Sequence, residues 1–196
     1  MELTNDLIKQ RLQEKFGEQV SGFEEPYGML TFEAPKELNL KVLQFLYDEA
    51  DLGFRFMTDL TAVHYPSQPG RELAVVYHLH NLQANVRIRF KVFTAIAQPD
   101  VFSATRLYSS ANWQEREAYD NFGVNFVGHP NLIRILNVDE MDYFPMRKEF
   151  PLEDQTRVDK DDEMFGRGGS TGFGTSPTAD HHHSRYSDVP DGGEVV

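Results

Sequence analysis

Three side chains in one stretch of this chain have the types and spacing that chemistry requires. Glu117 and Asp120 stand three residues apart inside a helical pattern, and His129 follows after two glycines. Carboxylates at i and i+3 return to the same side of a helix, so with an imidazole from the next loop they can converge on a metal ion or divide acid and base roles. That arrangement would make a free-standing metalloenzyme. Against it, no second histidine at ligand spacing accompanies them. Arg116, one residue after Glu115 and four before Asp120, is also placed to pair with the acids along the helix. Two further readings of the same residues stay open. In one, they cap and brace the helix and its exit loop. In the other, Glu117, Asp120, His129 and Arg134 make charge-assisted hydrogen bonds to neighbouring polypeptides, while Trp113, Phe122 and Phe126 supply the buried apolar contacts of an obligate interface.

Other candidates are weaker. His181-His182-His183 is a run that can take a transition metal, but it lies in glycine-rich sequence. His64, His78 and His80 fall in strand patterns, where a hydrogen-bonded core or surface histidine is the expected role. Asp159 to Glu163, four acids around Lys160, suits a solvated segment or a basic groove on a partner.

The elements that must position these groups follow from periodicity. Leu3, Leu7, Ile8, Leu12 and Phe16 share a helical face, with Thr4 as N-cap, Leu3 and Ile8 as a hydrophobic staple and Gly17 as a stop, which predicts a helix over 5–16. Met29 to Ala34 reads as a strand closed by Pro35. Leu40, Leu43, Leu46, Tyr47 and Ala50 predict a second helix ending before Gly53. Phe56 to Tyr65, Leu73 to His80 and Val86 to Ala95 then read as three strands of an antiparallel meander. The last alternates, with Val86, Ile88, Phe90 and Val92 for the core and Arg87, Arg89 and Lys91 as a cationic stripe for solvent or for an acidic partner. Val101 to Phe122 reads as helix, closed by Gly123. Phe122 and Phe126 anchor the ends of the turn, and Gly128 precedes an extended exit at His129-Pro130. The expected class is α+β, a mainly antiparallel sheet with helices packed on one face, over residues 1–152. Residues 153–196, including the glycine-rich 166–176, are expected to be a flexible or partner-ordered tail.

Composition narrows the function. The formal net charge is −12, and the last 44 residues hold 10 acidic and 4 basic side chains. Acidity of that size disfavours nucleic acid and anionic lipid as partners. No apolar run approaches the roughly 20 residues of a bilayer span, and the first residues lack signal-peptide character, so a soluble chain retained where it is made is expected. The absence of cysteine excludes disulfides, thiolate nucleophiles and four-thiolate iron–sulfur ligation.

From Glu115 to Leu136 the chain reads Glu115-Arg116-Glu117, Asp120, Phe122-Gly123, Phe126, Gly128-His129-Pro130, Leu132 and Arg134-Ile135-Leu136. This succession resembles the signature of the 30 kDa subunit of respiratory complex I, a family that bacteria use in their NADH:quinone oxidoreductase. Leu52-Gly53-Phe54, Asp59 to Val63, Val76 to Leu79 and Pro145 to Leu152 are similar to the family's other blocks, so the likeness spans roughly 30–152. The resemblance implies a non-catalytic, peripheral-arm subunit of a proton-translocating enzyme. It would bind no cofactor itself, with NADH, FMN, iron–sulfur clusters and quinone held elsewhere in the complex. The implied partners are the subunit of the terminal iron–sulfur cluster and the subunit forming the quinone pocket, in a hetero-oligomer on the cytoplasmic side of the bacterial inner membrane. Candidate interface residues are Trp113, Glu117, Asp120, Phe122, Phe126, His129, Arg134, Arg87 and Arg89. A related membrane-bound hydrogenase is the alternative within the family; there the domain is often fused to the large subunit.

Overall fold

The computed structural model describes residues 3–150. Helix α1 (Asn5–Phe16) starts where Thr4 Oγ1 accepts from the Leu7 amide at 3.3 Å and stops at Gly17, whose φ of +59° suits a residue without Cβ. Its Ile8 and Leu12 are fully buried. Strands β1 (Ser21–Glu24) and β2 (Leu30–Pro35) flank a tight turn, and α2 (Asn39–Asp48) follows, turning Val42, Leu43 and Leu46 into the core. Then come β3 (Phe56–His64), β4 (Leu73–Asn81), β5 (Val86–Thr94) and β6 (Asp100–Phe102), followed by α3 (Ala111–Phe122) and β7 (Asn125–Val127).

The main sheet has the order β1-β2-β5-β4-β3. The expected meander is present, with β3–β4 and β4–β5 antiparallel, and the α+β class holds. Two features were not expected. β1 had no strand signal, because Ser21-Gly22-Phe23-Glu24 carries one apolar residue, yet it pairs with β2. β2 then joins β5 in parallel, so the sheet is mixed. That junction is built on aromatic rings. Phe32, Phe90 and Tyr77 are register partners across β2, β5 and β4, and their rings stack with centroids 5.1 and 5.3 Å apart. β4 lies between β5 and β3, and its Leu73 to Tyr77 are all buried instead of alternating.

The helix expected over 101–122 is shorter. Val101, Ala104, Tyr108 and Ala111 recur at intervals of three and four and are all buried, which imitates a helical face. Only the last belongs to α3. Val101 instead pairs with Phe126 in a parallel two-stranded ribbon of β6 and β7, and the Ser103 amide donates to the Val127 carbonyl at 3.0 Å. Ser103, Thr105, Ser109 and Ser110 offer the backbone side-chain alternatives to helical bonding. Tyr108 then anchors the loop, its hydroxyl donating to the Phe54 carbonyl at 2.7 Å.

Candidate functional site

Helix α3 and the chain that follows it form one construction. From His129 to Phe150 the described backbone has no helix or strand, yet this segment, the strap, runs alongside α3 in the same direction and is fixed at three levels. At the first, His129 Nε2 donates to the Asn112 carbonyl at 3.0 Å while Nδ1 accepts from the Asn131 amide at 3.0 Å. At the second, Arg116 donates to the carbonyls of Ile133 and Arg134 at 3.1 and 2.9 Å. At the third, Asp120 takes the strap end-on. Its Oδ2 accepts from the amides of Ile135, Leu136 and Asn137 at 3.0, 2.7 and 2.9 Å, and its Oδ1 from Arg134 Nη1 and Asn137 Nδ2 at 2.7 and 3.0 Å. Residues 112, 116 and 120 lie four apart, one face of a helix. Their partners advance along the strap in the same order.

Arg134 extends the construction. Its Nη2 donates to the carbonyls of Met141 and Tyr143 at 2.6 and 3.0 Å, and the guanidinium lies 5.3 Å from the Phe144 ring centroid. Arg147 covers the same ring at 4.6 Å and donates to the Phe122 carbonyl at 2.8 Å. Gly123 makes this possible: it closes α3 with φ +76°, and a Cβ there would lie 2.5 Å from Phe144 and 2.6 Å from Arg147. Asp120 is fully buried, and burial alone would push its carboxyl up. The amides of Asn137, Leu136 and Ile135, together with Arg134, more than reverse that and hold it far below the usual carboxylate range.

Glu115 points the other way. It is fully buried, accepting from the Ala104 amide at 2.6 Å and the Ser103 hydroxyl at 2.7 Å. Burial raises it to about 7, since these two donors only partly offset the desolvation. It ties the β6 loop to α3, as Asp120 ties the strap.

The expected pairing of Arg116 with Asp120 does not occur; Arg116 turns to the strap carbonyls and stacks 5.0 Å from Trp113, and Asp120 takes Arg134. Glu117, Asp120 and His129 do not converge either. Glu117 is exposed, Asp120 is enclosed by donors, and both nitrogens of His129 are engaged by main chain, which removes the basis of the metalloenzyme alternative. Among the described residues no group of three histidine or carboxylate side chains is close enough to hold a metal ion, and no helix is long and apolar enough to cross a membrane. Phe122 and Phe126 lie in the chain's own core. Trp113, Glu117 and Arg87 face solvent. Arg89 is half-buried and donates to His78 Nε2 at 3.0 Å, so the His78 proton sits on Nδ1, 3.5 Å from Asp59. His64 is buried and accepts from the Lys148 amide at 2.9 Å, and His80 lies 3.2 Å from Asn85 Oδ1. The acid run at 159–163, the histidine run and the expected tail lie outside the described residues.

Sequence reasoning missed Glu115 as a buried tie, Arg147 as the clamp on Phe144, and the exposed strap residues Ile133, Leu136 and Val138. Glu115 and Arg147 do stand inside recognisable motifs, but their roles depend on contacts that spacing along one helix does not reveal.

Comparison with known proteins gives this construction a family. The model of the respiratory-chain NADH dehydrogenase 30 Kd subunit matches residues 32–156. An NADH-quinone oxidoreductase subunit of Citrifermentans bemidjiense is 44% identical over 147 residues, spanning 75% of this chain and 89% of that protein. The subunit of the same name in Sinorhizobium medicae is 43% identical over 152 residues, spanning 78% and 75%. Among solved structures, a trypsin-resistant fragment of Nqo5 superposes with a TM-score of 0.54 at 30% identity, covering 64% of this chain and 98% of the fragment. A chain of an archaeal respiratory membrane complex, the membrane-bound sulfane sulfur reductase, gives 0.63 at 25% identity, covering 75% and 85%. The three-level clamp between α3 and the strap lies within the residues that the family model matches, and the chain belongs to the 30 kDa subunit family of respiratory-chain NADH dehydrogenase.

Proposed function

We propose that this chain is a non-catalytic positioning subunit of a proton-translocating NADH:quinone oxidoreductase. It sits on the cytoplasmic side of the bacterial inner membrane, against the subunits that hold the terminal iron–sulfur cluster and the quinone pocket, and it contributes surface and rigidity while NADH, FMN, clusters and quinone are bound by its partners. One observation carries this reading: the signature's reactive side chains are consumed in holding the strap. Asp120 accepts from five nitrogen donors, both ring nitrogens of His129 are engaged, and Arg134 bonds Asp120 and two carbonyls. A rigid surface matters in such an enzyme because reacting groups held in place tolerate little displacement. Trp113, Glu117 and Arg87 are the expected interface residues that face solvent, and they are the first assigned to contacts with partners.

Deletion of the chain in cells should lower assembled complex and NADH:quinone reductase activity together; unchanged assembly and activity would refute the role. The likeness to a chain of the archaeal sulfane sulfur reductase supports a second reading, in which the domain serves a related membrane complex with another electron acceptor. Donor and acceptor assays on the purified complex separate the two.

A further inference from the structure

The strap turns a row of apolar side chains outward. Ile133, Leu136 and Val138 are 50%, 68% and 64% exposed, in a segment without helix or strand. Irregular chain of this composition would ordinarily fold such groups inward or leave them loose. Here neither happens, because the backbone is pinned on the opposite side: Arg116 holds the Ile133 carbonyl, and Asp120 holds the amides of Ile135, Leu136 and Asn137. The conformational entropy that docking would otherwise cost has been removed in advance. At one end of the row Trp113 lies across Arg116, the residue that grips the strap at Ile133. At the other end stand Asp139, Glu140 and Asp142, all exposed and, among the described residues, without a cationic partner.

We infer that the outward edge of the strap, Ile133, Leu136 and Val138 with the carboxylates of Asp139, Glu140 and Asp142 beside it, is a docking ridge for another polypeptide that presents an apolar groove rimmed by lysine or arginine. The inference rests on the positioning role proposed above and says which surface performs it. Charge selects the occupant. Three carboxylates beside the apolar row oppose anionic lipid and nucleic acid phosphates. A second copy of this chain is disfavoured too, since each copy carries a formal charge of −12. A cationic rim around an apolar groove satisfies both parts of the surface, the apolar centre by desolvation and the rim by complementary potential.

The test uses the full chain in the assembled complex. A photo-crosslinking amino acid in place of Leu136 should form an adduct with a different subunit, in a peptide combining apolar residues with lysine or arginine. An adduct with another copy of this chain, with lipid, with an acidic peptide, or none at all would overturn the assignment. In parallel, Leu136→Glu/Val138→Glu should lower co-purification of the chain with solubilised complex tenfold or more. Asp139→Asn/Glu140→Gln, at exposed positions whose side chains make no hydrogen bond or ion pair among the described residues, should lower it several-fold with an unchanged melting curve, which guards against a folding defect in the first variant. Both variants retained like the parent would sink the ridge. Deletion of the chain separates the two levels: if deletion abolishes assembly while ridge variants assemble normally, the ridge fails and the positioning role stands; if deletion changes nothing, the role itself fails.

Discussion

Arg134 and Asp120 are joined twice, for Arg134 Nη1 donates to Asp120 Oδ1 at 2.7 Å and to the Asp120 main-chain carbonyl at 3.1 Å, with both side chains almost without solvent contact. The pair lies where the end of a helix meets a strap that, among the described residues, has no hydrogen-bonded partner strand. Three consecutive strap amides close on the other carboxylate oxygen, so one side chain does what a β-ladder would otherwise do for those residues.

Asp120→Asn therefore removes a charge and inserts an amide group against donors. Breaking a buried pair of this kind costs about 3–5 kcal/mol, which at this domain size corresponds to roughly 10 °C in melting temperature. Acid unfolding supplies the second readout. The folded carboxyl titrates below its unfolded value of about 4, so its contribution is complete above that pH and is lost as pH falls below it toward the folded value. The parent should lose stability more steeply below about pH 4 than Asp120→Asn; parallel acid limbs in urea titrations would contradict the assignment.

Much of this arrangement was legible in the sequence. Thr4, Gly17 and Gly123 marked helix ends because capping and left-handed geometry demand specific residue types. The alternation of β5 marked its faces because side chains on a strand leave in turn on opposite sides. Illegible features were those set by partners remote in sequence. β1 is a strand because β2 lies beside it, and Val101 to Ala111 copies a helical period while serving a ribbon and a loop. Arg116 had an acid within helical reach and took two carbonyls instead, which no local pattern announces.

Glu115 should titrate in the opposite sense from Asp120. Its folded value of about 7 lies above the ordinary 4.5, so in that interval the native state keeps a proton that the unfolded chain has released. The linked stability is full below about 4.5 and is lost as pH rises through about 7. Glu115→Gln keeps the shape and an acceptor for the Ala104 amide, and it carries no charge. The difference between its urea midpoint and the parent's should move in the variant's favour as pH rises from 5 to about 8. Identical slopes would show that Glu115 is ionised throughout.

Gly123→Ala tests the clamp from the backbone side. A left-handed residue with a Cβ costs roughly 1–2 kcal/mol, and displacing Phe144 and Arg147 adds overpacking of about 1–3 kcal/mol. The strap should loosen before the sheet does. Limited proteolysis should first cut within 131–150 in the variant, whereas the parent resists there; a variant with parental cleavage and stability would show that Phe144 and Arg147 yield freely.

Trp113, the single tryptophan of the chain, reports on docking directly. It is 61% exposed, with the Arg116 guanidinium near one face and solvent on the remainder. Aromatic residues so placed, next to an arginine anchored by its own hydrogen bonds, are the type that interfaces bury. Chain labelled with 5-fluorotryptophan gives one fluorine resonance. That resonance should respond to dissolved paramagnetic quencher when the chain is alone and become protected once it is within the complex. The isolated measurement checks the exposure, and the assembled one checks the contact. Equal quenching in both states would place Trp113 outside every interface and leave the role of partner contact to Glu117, Arg87 and the strap.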